Sequence, residues 1–382
     1  MSKASECVKT MLRAWTAALA VATVSAFLAS TAQALPVGFW GATPQSSLTS
    51  EQFQRIGRGG VETVRIPISW AAVQSSPGGQ FDWSGFDHQI EEAAKAGIRV
   101  LPFLSNAPEW AVPGKAVSGT GGTLKAPARL PVSGAGRTGW VSFLTAAVAR
   151  YGPTGSFWSE HPGVPFAPIR AWQIWNEPNF KYFIAKPNPA EYGKLVKISY
   201  AAIRASDPGA QVVLAGLFGR PKGSRTATGK HKSLNWYASD FVSQMYKRTP
   251  GLKTKFSGVA LHPYTIYARE LPGVVEELRD VLVANRDGGK PLWITELSWS
   301  SGKATGGNLF GKGPAGQAKE LRTAFTQLRN HQRTWKVKSV FWFSVDDAAG
   351  ACNFCSGSGL FAPGFVPKRS WFAYVKFTGG TP

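Results

Sequence analysis

The chain has 382 residues, 43% hydrophobic and 17% charged, with 43 Lys and Arg against 22 Asp and Glu and a formal net charge of +21. That length fits one barrel-sized domain better than two. No internal repeat is visible, and no long apolar segment follows the first 34 residues, which excludes a bundle of membrane-spanning helices.

The first segment reads as an export leader. Lys3, Lys9 and Arg13 make a basic start diluted by Glu6, and residues 14–28 are mostly apolar yet short for a membrane span. Ala32-Gln33-Ala34 then offers a small-residue cleavage site. We therefore expect a secretory signal peptide over residues 1–34 and a mature chain over 35–382, the alternative being an uncleaved anchor. The expected product is a soluble, secreted monomer, extracellular or associated with the cell wall. Cleavage leaves 40 basic and 21 acidic residues, a net charge of +19. That field favours anionic partners such as acidic polysaccharide, cell-wall polymer or nucleic acid; it also serves plain solubility with weak adhesion to any polyanion.

Eight short β-prone runs follow, at residues 37–41, 63–67, 99–104, 169–175, 211–216, 258–261, 292–296 and 339–344. Several are almost continuously apolar, as parallel strands covered on both faces are. Helical patterns fill the gaps at 49–58, 86–96, 140–151, 190–205, 235–248, 274–285, 316–332 and 371–377, the first opening on a capping-like Thr49-Ser50-Glu51. Eight strands each followed by a helix predict an α/β fold, a single-domain TIM (β/α)8 barrel. Three connections are long and loop-like by composition: 111–136; 219–234, carrying Arg220, Lys222, Arg225, Lys230, His231 and Lys232; and 300–315, with Lys303 and Lys312. They follow strands three, five and seven, so they rise from the C-terminal face, where barrel sites are built. They read as a binding rim or as solubilising surface loops.

Cys7 falls in the leader, leaving Cys352 and Cys355 as a C-x-x-C pair. In an exported chain a local disulfide is expected, with free thiols the alternative. A redox role needs a βαβ setting that is not evident, and two thiols cannot complete a structural zinc site.

Chemistry concentrates in two glutamates, each ending an apolar run. Glu177 lies in Trp172-Gln173-Ile174-Trp175-Asn176-Glu177-Pro178-Asn179, and Glu296 in Leu292-Trp293-Ile294-Thr295-Glu296-Leu297-Ser298-Trp299. Two carboxylates facing one sugar supply a proton and a nucleophile, the minimum for glycoside hydrolysis. Apolar neighbours Trp172, Trp175 and Pro178 suit an acid of raised pKa at Glu177, with Asn176 beside it to bond a substrate hydroxyl.

Trp175-Asn176-Glu177-Pro178-Asn179 resembles the acid/base motif of glycoside hydrolase clan A, with a flavour of families 39 and 5, and the likeness extends over most of residues 36–378. Those barrels place the acid/base after strand 4 and the nucleophile after strand 7, where Glu177 and Glu296 fall. The resemblance implies that Arg65 holds the nucleophile ionised, that Tyr264 bonds it, that His262 contacts substrate or the acid/base, and that Trp342 floors the sugar subsite. It implies retention through a glycosyl-enzyme ester at Glu296, carboxyls about 5–5.5 Å apart, and no metal or organic cofactor. Trp110 and Trp299, then Trp40 and Trp70, are candidate sugar platforms; Asn106, Asp346 and Asp347 are candidate hydroxyl contacts.

The expected substrate is a β-linked polysaccharide or oligosaccharide, cut internally and open to being anionic. A non-catalytic carbohydrate or cell-wall binding barrel is one alternative. A transglycosylase, which uses the same two glutamates, is another. Specific nucleic-acid binding lacks any recognition motif beyond charge.

Overall fold

In the computed structural model the described residues are 34–119, 122–221, 235–348 and 355–382. The expected leader (apart from Ala34), Cys352, and Lys222, Arg225, Lys230, His231 and Lys232 of the basic loop lie outside them. Cys355 is disulfide-bonded. No described helix is long and apolar enough to cross a membrane.

Eight parallel strands close into a barrel: β1 (Trp40–Thr43), β2 (Thr63–Ser69), β3 (Arg99–Ser105), β4 (Ala171–Asn176), β5 (Gln211–Gly219), β6 (Gly258–Pro263), β7 (Leu292–Leu297) and β8 (Val337–Phe343). Each pairs with the next, and β8 closes on β1. After each strand comes a helix: α1 (Ser50–Arg58), α2 (Ser84–Lys95), α3 (Gly134–Tyr151), α4 (Pro189–Ser206), α5 (Ala238–Arg248), α6 (Leu271–Ala284), α7 (Gly313–Asn330) and α8 (Arg369–Thr378). The fold is the TIM barrel expected from the alternation of patterns.

Local chemistry explains the elements. All residues of β6 and β7 are buried, because strands between a helical coat and a filled interior have no wet face. Helix α7 buries Gln317, Ala318, Leu321, Ala324, Phe325 and Leu328, one stripe at helical spacing. Each of the larger apolar side chains in that stripe contributes about 1.5–3 kcal/mol on burial. Thr49 caps α1 in a capping box closed by Gln52. Asn188 caps α4, with Pro189 at its first turn.

Boundaries moved where single residues decide them. The first strand begins at Trp40, not residue 37, because Val37 is 69% exposed and Gly38 takes a left-handed φ of 77°. Residues 111–136 are less loop-like than composition suggests: they hold an antiparallel hairpin of Gly114–Gly119 and Gly122–Pro127, and α3 begins at Gly134.

Inside the barrel, Leu101, Val213, Ala260, Trp293 and Phe341 form one apolar layer. Two residues further along their strands, side chains return to the axis by the period of two. Those positions are Phe103, His262, Thr295 and Phe343, Gln173 joins them on β4, and on β5 a slip in the pairing sets Gly216 against His262. The apolar layer is thus the floor on which a polar layer sits at the C-terminal end.

Candidate active site

The polar layer is built around Arg65, fully buried on β2. Its Nε donates to Gln173 Oε1 at 2.6 Å, Nη1 to Glu296 Oε1 at 2.7 Å, and Nη2 to Asn176 Oδ1 at 2.6 Å. The guanidinium lies over the Phe103 ring, 4.0 Å from its centroid. Three charge-assisted bonds and a ring face orient one cation toward one carboxylate. Tyr264 holds the second oxygen, its hydroxyl donating to Glu296 Oε2 at 2.8 Å.

Glu177 is held differently. Its Oε1 is 2.7 Å from His262 Nδ1, and its backbone N donates to Gly216 O at 3.1 Å. His262 Nε2 lies 3.0 Å from Thr295 Oγ1, and its Nδ1 is also 3.6 Å from Glu296 Oε2. One ligand atom each of Glu177, His262 and Glu296 lies within 4.8 Å of the others, a spacing that also suits a metal ion. Arg65 already supplies the countercharge to Glu296.

Two irregularities aim these side chains. Along β4, Gln173 points to the axis and Trp175 points outward, meeting Trp140 of α3. Trp175 and Glu177 both take left-handed φ values, 71° and 39°, which re-aims the chain so that Asn176 and Glu177 face the site. Such backbone costs about 1–3 kcal/mol per residue and persists where its surroundings over-determine it. On β7, the pairing with β8 runs from Ile294↔Val340 to Leu297↔Trp342, three residues against two. The extra residue lets Thr295 and Glu296, neighbours in sequence, both face the interior.

Burial separates the two carboxyls. Glu177 is 5% exposed and Glu296 8%. Burial first, then the charge of Glu296, holds Glu177 well above the usual carboxylate range, against opposing pulls from Arg65 and Arg220. Burial also raises Glu296, but Arg65 and the Tyr264 hydroxyl act directly on its oxygens and oppose the rise. Glu177 therefore keeps a proton more readily than Glu296 does. Burial, then Arg65, holds His262 well below its ordinary value, so the ring is neutral. Burial, then the charge of Glu296, keeps Tyr264 protonated as a donor.

The structure thus brings together six of the sequence-predicted site residues: Glu177, Glu296, Arg65, Asn176, His262 and Tyr264. It does not bring in the others as expected. Trp342 is 0% exposed and faces outward, its ring beside Phe325 of α7 and its Nε1 donating to Ser358 O. The phase of β8 decides this: Phe341 belongs to the interior layer, so Trp342 turns away and the half-buried Phe343 turns to the axis. Trp299 is also 0% exposed, its Nε1 donating to Thr265 O and Ile266 O, so it packs rather than presenting a face. Trp40 stacks on Phe325, and Trp70 is enclosed by Trp110, Trp140 and Phe143. Of the four platform candidates Trp110 alone remains half-exposed. Asn106 is exposed at the end of β3 with a φ of 58° and makes no hydrogen bond to the carboxyl pair. Asp347 is tied to Lys368 at 2.9 Å and Asp346 to Ser46, so both serve the loop after β8.

Sequence reading missed Gln173, Thr295, Gly216 and the role of Arg220. Gln173 and Thr295 sit inside the quoted strand-end motifs, and a polar residue inside an apolar strand was the available signal. Arg220 lies against the Phe218 and Phe310 rings, 4.5 and 5.6 Å from their centroids. Burial outweighs the opposing charges of Glu177 and Tyr264 and lowers its pKa to about 10, so this cation acts on both of those site residues.

A family model described as "glycosyl hydrolase catalytic core" matches residues 167–363, just over half of the chain. No curated protein matches. Among solved structures, a family 39 glycoside hydrolase from the gut symbiont Bacteroides cellulosilyticus WH2 is similar at TM-score 0.63 and 20% identity, over 90% of this chain and 64% of that one. The chain therefore spans less than two thirds of that protein's length. A GH39 β-xylosidase from Caulobacter crescentus is similar at TM-score 0.63 and 21% identity, over 91% and 72%. A GH30 endoxylanase from Clostridium papyrosolvens C71 is similar at TM-score 0.55 and 13% identity, over 90% and 72%. At these identities the likeness is one of fold.

Proposed function

From a chain that belongs to the glycosyl hydrolase catalytic-core family, we propose an exported, retaining glycosidase in which Glu296 is the nucleophile and Glu177 the acid/base. The observation that carries the assignment is the asymmetric setting of the two carboxyls. Glu296 is clamped by Arg65 and Tyr264 at 2.7 and 2.8 Å, which offsets part of the rise that burial imposes, whereas Glu177 meets only the neutral His262, is raised further and keeps its proton more readily. In the first step Glu296 Oε attacks the anomeric carbon, the glycosidic C–O bond breaks, and Glu177 delivers its proton to the leaving oxygen. In the second, Glu177 as carboxylate takes a proton from water, the water oxygen bonds the anomeric carbon, and the ester to Glu296 breaks. Carboxyl oxygens within 4.8 Å of each other fall short of the roughly 6.5–9.5 Å that an inverting pair needs to hold sugar and water together, which supports retention. Asn176 spends its Oδ1 on Arg65, which leaves its amide N–H for a substrate hydroxyl.

The substrate reading is a β-linked polysaccharide cut internally. Similarity to a β-xylosidase and an endoxylanase supports β-xylosidic linkages as the first to try, and the half-exposed Trp110 suits a sugar away from the cleavage point. Arg220 beside Glu177, with the chain's positive charge, supports an anionic substituent on that polymer. The test is hydrolysis of aryl β-glycosides, xylan, glucans, mannans, arabinogalactans and an acidic polysaccharide by wild type, Glu177→Gln and Glu296→Gln, with product lengths followed in time. Early release of mixed oligosaccharides, lost in both variants, is expected. Release of monosaccharide alone overturns the internal cut. Polymer binding with no release from any substrate overturns catalysis in favour of a binding barrel.

A further inference from the structure

Both carboxyls stand at the ends of a single hydrogen-bonded chain: Glu296–Arg65–Gln173–Thr295–His262–Glu177. Its direction follows from elementary donor chemistry. Arginine only donates, so the Gln173 atom 2.6 Å from Arg65 Nε is the carbonyl Oε1, and Nε2 is the donor at the other end. Nε2 donates to Leu214 O and to Thr295 Oγ1, each at 3.3 Å. Gln173 Nε2 can only donate, so of the two side-chain atoms bonded to Thr295 Oγ1 the one able to accept its hydroxyl proton is His262 Nε2, at 3.0 Å. A neutral imidazole that accepts at Nε2 carries its hydrogen on Nδ1. That Nδ1–H then donates to Glu177 Oε1 at 2.7 Å.

We propose that Gln173 and Thr295 are positioning residues that lock His262 in the Nδ1–H tautomer and thereby confine the acid proton of Glu177 to Oε2. This rests on the reading of Glu177 as acid/base. An Oε1 that accepts from Nδ1–H cannot also carry a proton pointed at the same nitrogen, so the proton occupies the oxygen free of His262. Breaking the chain at Thr295 frees the ring to adopt the Nε2–H tautomer. Nδ1 then becomes an acceptor, and Glu177 can bury its proton against it on Oε1, where it is useless to a leaving group. Crowding enforces the arrangement: a Cβ on Gly216 would fall 2.6 Å from His262 Cε1 and nearer still to Cδ2 and Nε2, so the ring has one place to sit.

The experiment compares wild type, Thr295→Val, Thr295→Ser and Glu177→Ala in kcat/KM on aryl glycosides of graded leaving-group pKa. It adds ¹⁵N-histidine NMR of the first three. A dinitrophenolate departs without a proton, whereas a poor leaving group needs one. Thr295→Val is expected to lose about 10- to 100-fold on poor leaving groups and to stay near wild type on dinitrophenyl glycosides. Thr295→Ser restores the wild-type pattern. The His262 signal reports Nδ1–H in wild type and shifts toward Nε2–H in Thr295→Val. An equal loss across all leaving groups, or a wild-type His262 protonated on Nε2, overturns the proposal. Glu177→Ala separates the two readings. If it shows the leaving-group dependence and Thr295→Val does not, the tautomer lock alone fails. If Glu177→Ala loses equally on all substrates, the acid/base assignment fails with it.

Discussion

Gly216→Ala is the smallest change that tests how the site is held. Gly216 lies on β5 where its pairing with β6 slips, from Val213↔Gly258 to Gly216↔Ala260. An added methyl would meet three atoms of the His262 ring, the most distant of them at 2.6 Å. The ring is rigid, fully buried and bonded at both nitrogens, so it cannot yield by rotating a flexible tip. Overpacking of this kind costs about 1–3 kcal/mol, and a displaced imidazole forfeits two hydrogen bonds worth about 1 kcal/mol each. The expected loss of about 3–5 kcal/mol corresponds to a fall in Tm of roughly 4–7 °C. kcat/KM on substrates with poor leaving groups should fall about 100-fold, because the acid loses its anchor. Calorimetry and aryl-glycoside kinetics read the two effects. Gly273→Ala is the control: nothing lies within 4 Å of its added methyl on α6, and it should be neutral or gain about 0.5–1 kcal/mol. A Gly216→Ala enzyme with wild-type Tm and kcat/KM would refute the claim that close approach fixes His262.

Other perturbations have equally direct readings. Glu177 is raised by burial and by Glu296, so its contribution to stability is complete below the ordinary carboxylate range and is lost as pH rises through its folded value. Glu177→Gln should therefore melt higher than wild type toward alkaline pH and show a flatter pH profile; parallel melting curves would contradict the assignment. Arg65→Met leaves Glu296 buried without its partner and should cost about 3–5 kcal/mol by chemical denaturation, with Arg65→Met/Glu296→Gln recovering much of the stability and none of the activity. Trp110→Ala should raise KM on polymer about 5- to 10-fold while leaving kcat/KM on small aryl glycosides near wild type. Trp299→Ala should instead destabilise by about 3–5 kcal/mol; a polymer-specific KM effect at unchanged Tm would restore it as a platform. Arg220→Met should lower kcat/KM on an acidic polysaccharide about 10- to 100-fold more than on neutral aryl glycosides, measured as the ratio of the two losses.

The order of elements and the position of both carboxyls were legible in the linear chain, because both depend on local properties. A strand buried on both faces needs a continuous apolar run, a helix needs its stripe, and a functional barrel residue sits where such a run stops. Trp175-Asn176-Glu177-Pro178 and Ile294-Thr295-Glu296 state those stops directly. What lay beyond reach was the direction of side chains and the identity of partners. Periodicity gives alternation without phase, and the phase of β8 is set only when Phe341 joins the interior layer, which sends Trp342 outward and Phe343 inward. The left-handed backbone at Trp175 and the extra residue in β7 break the alternation at the two places where the chemistry sits. The bonds that define the site join residues 231, 111, 108 and 85 positions apart. Sequence by itself determined which residues end the strands; closure of the barrel decided which of them meet, because only closure brings β2, β4, β6 and β7 around one axis.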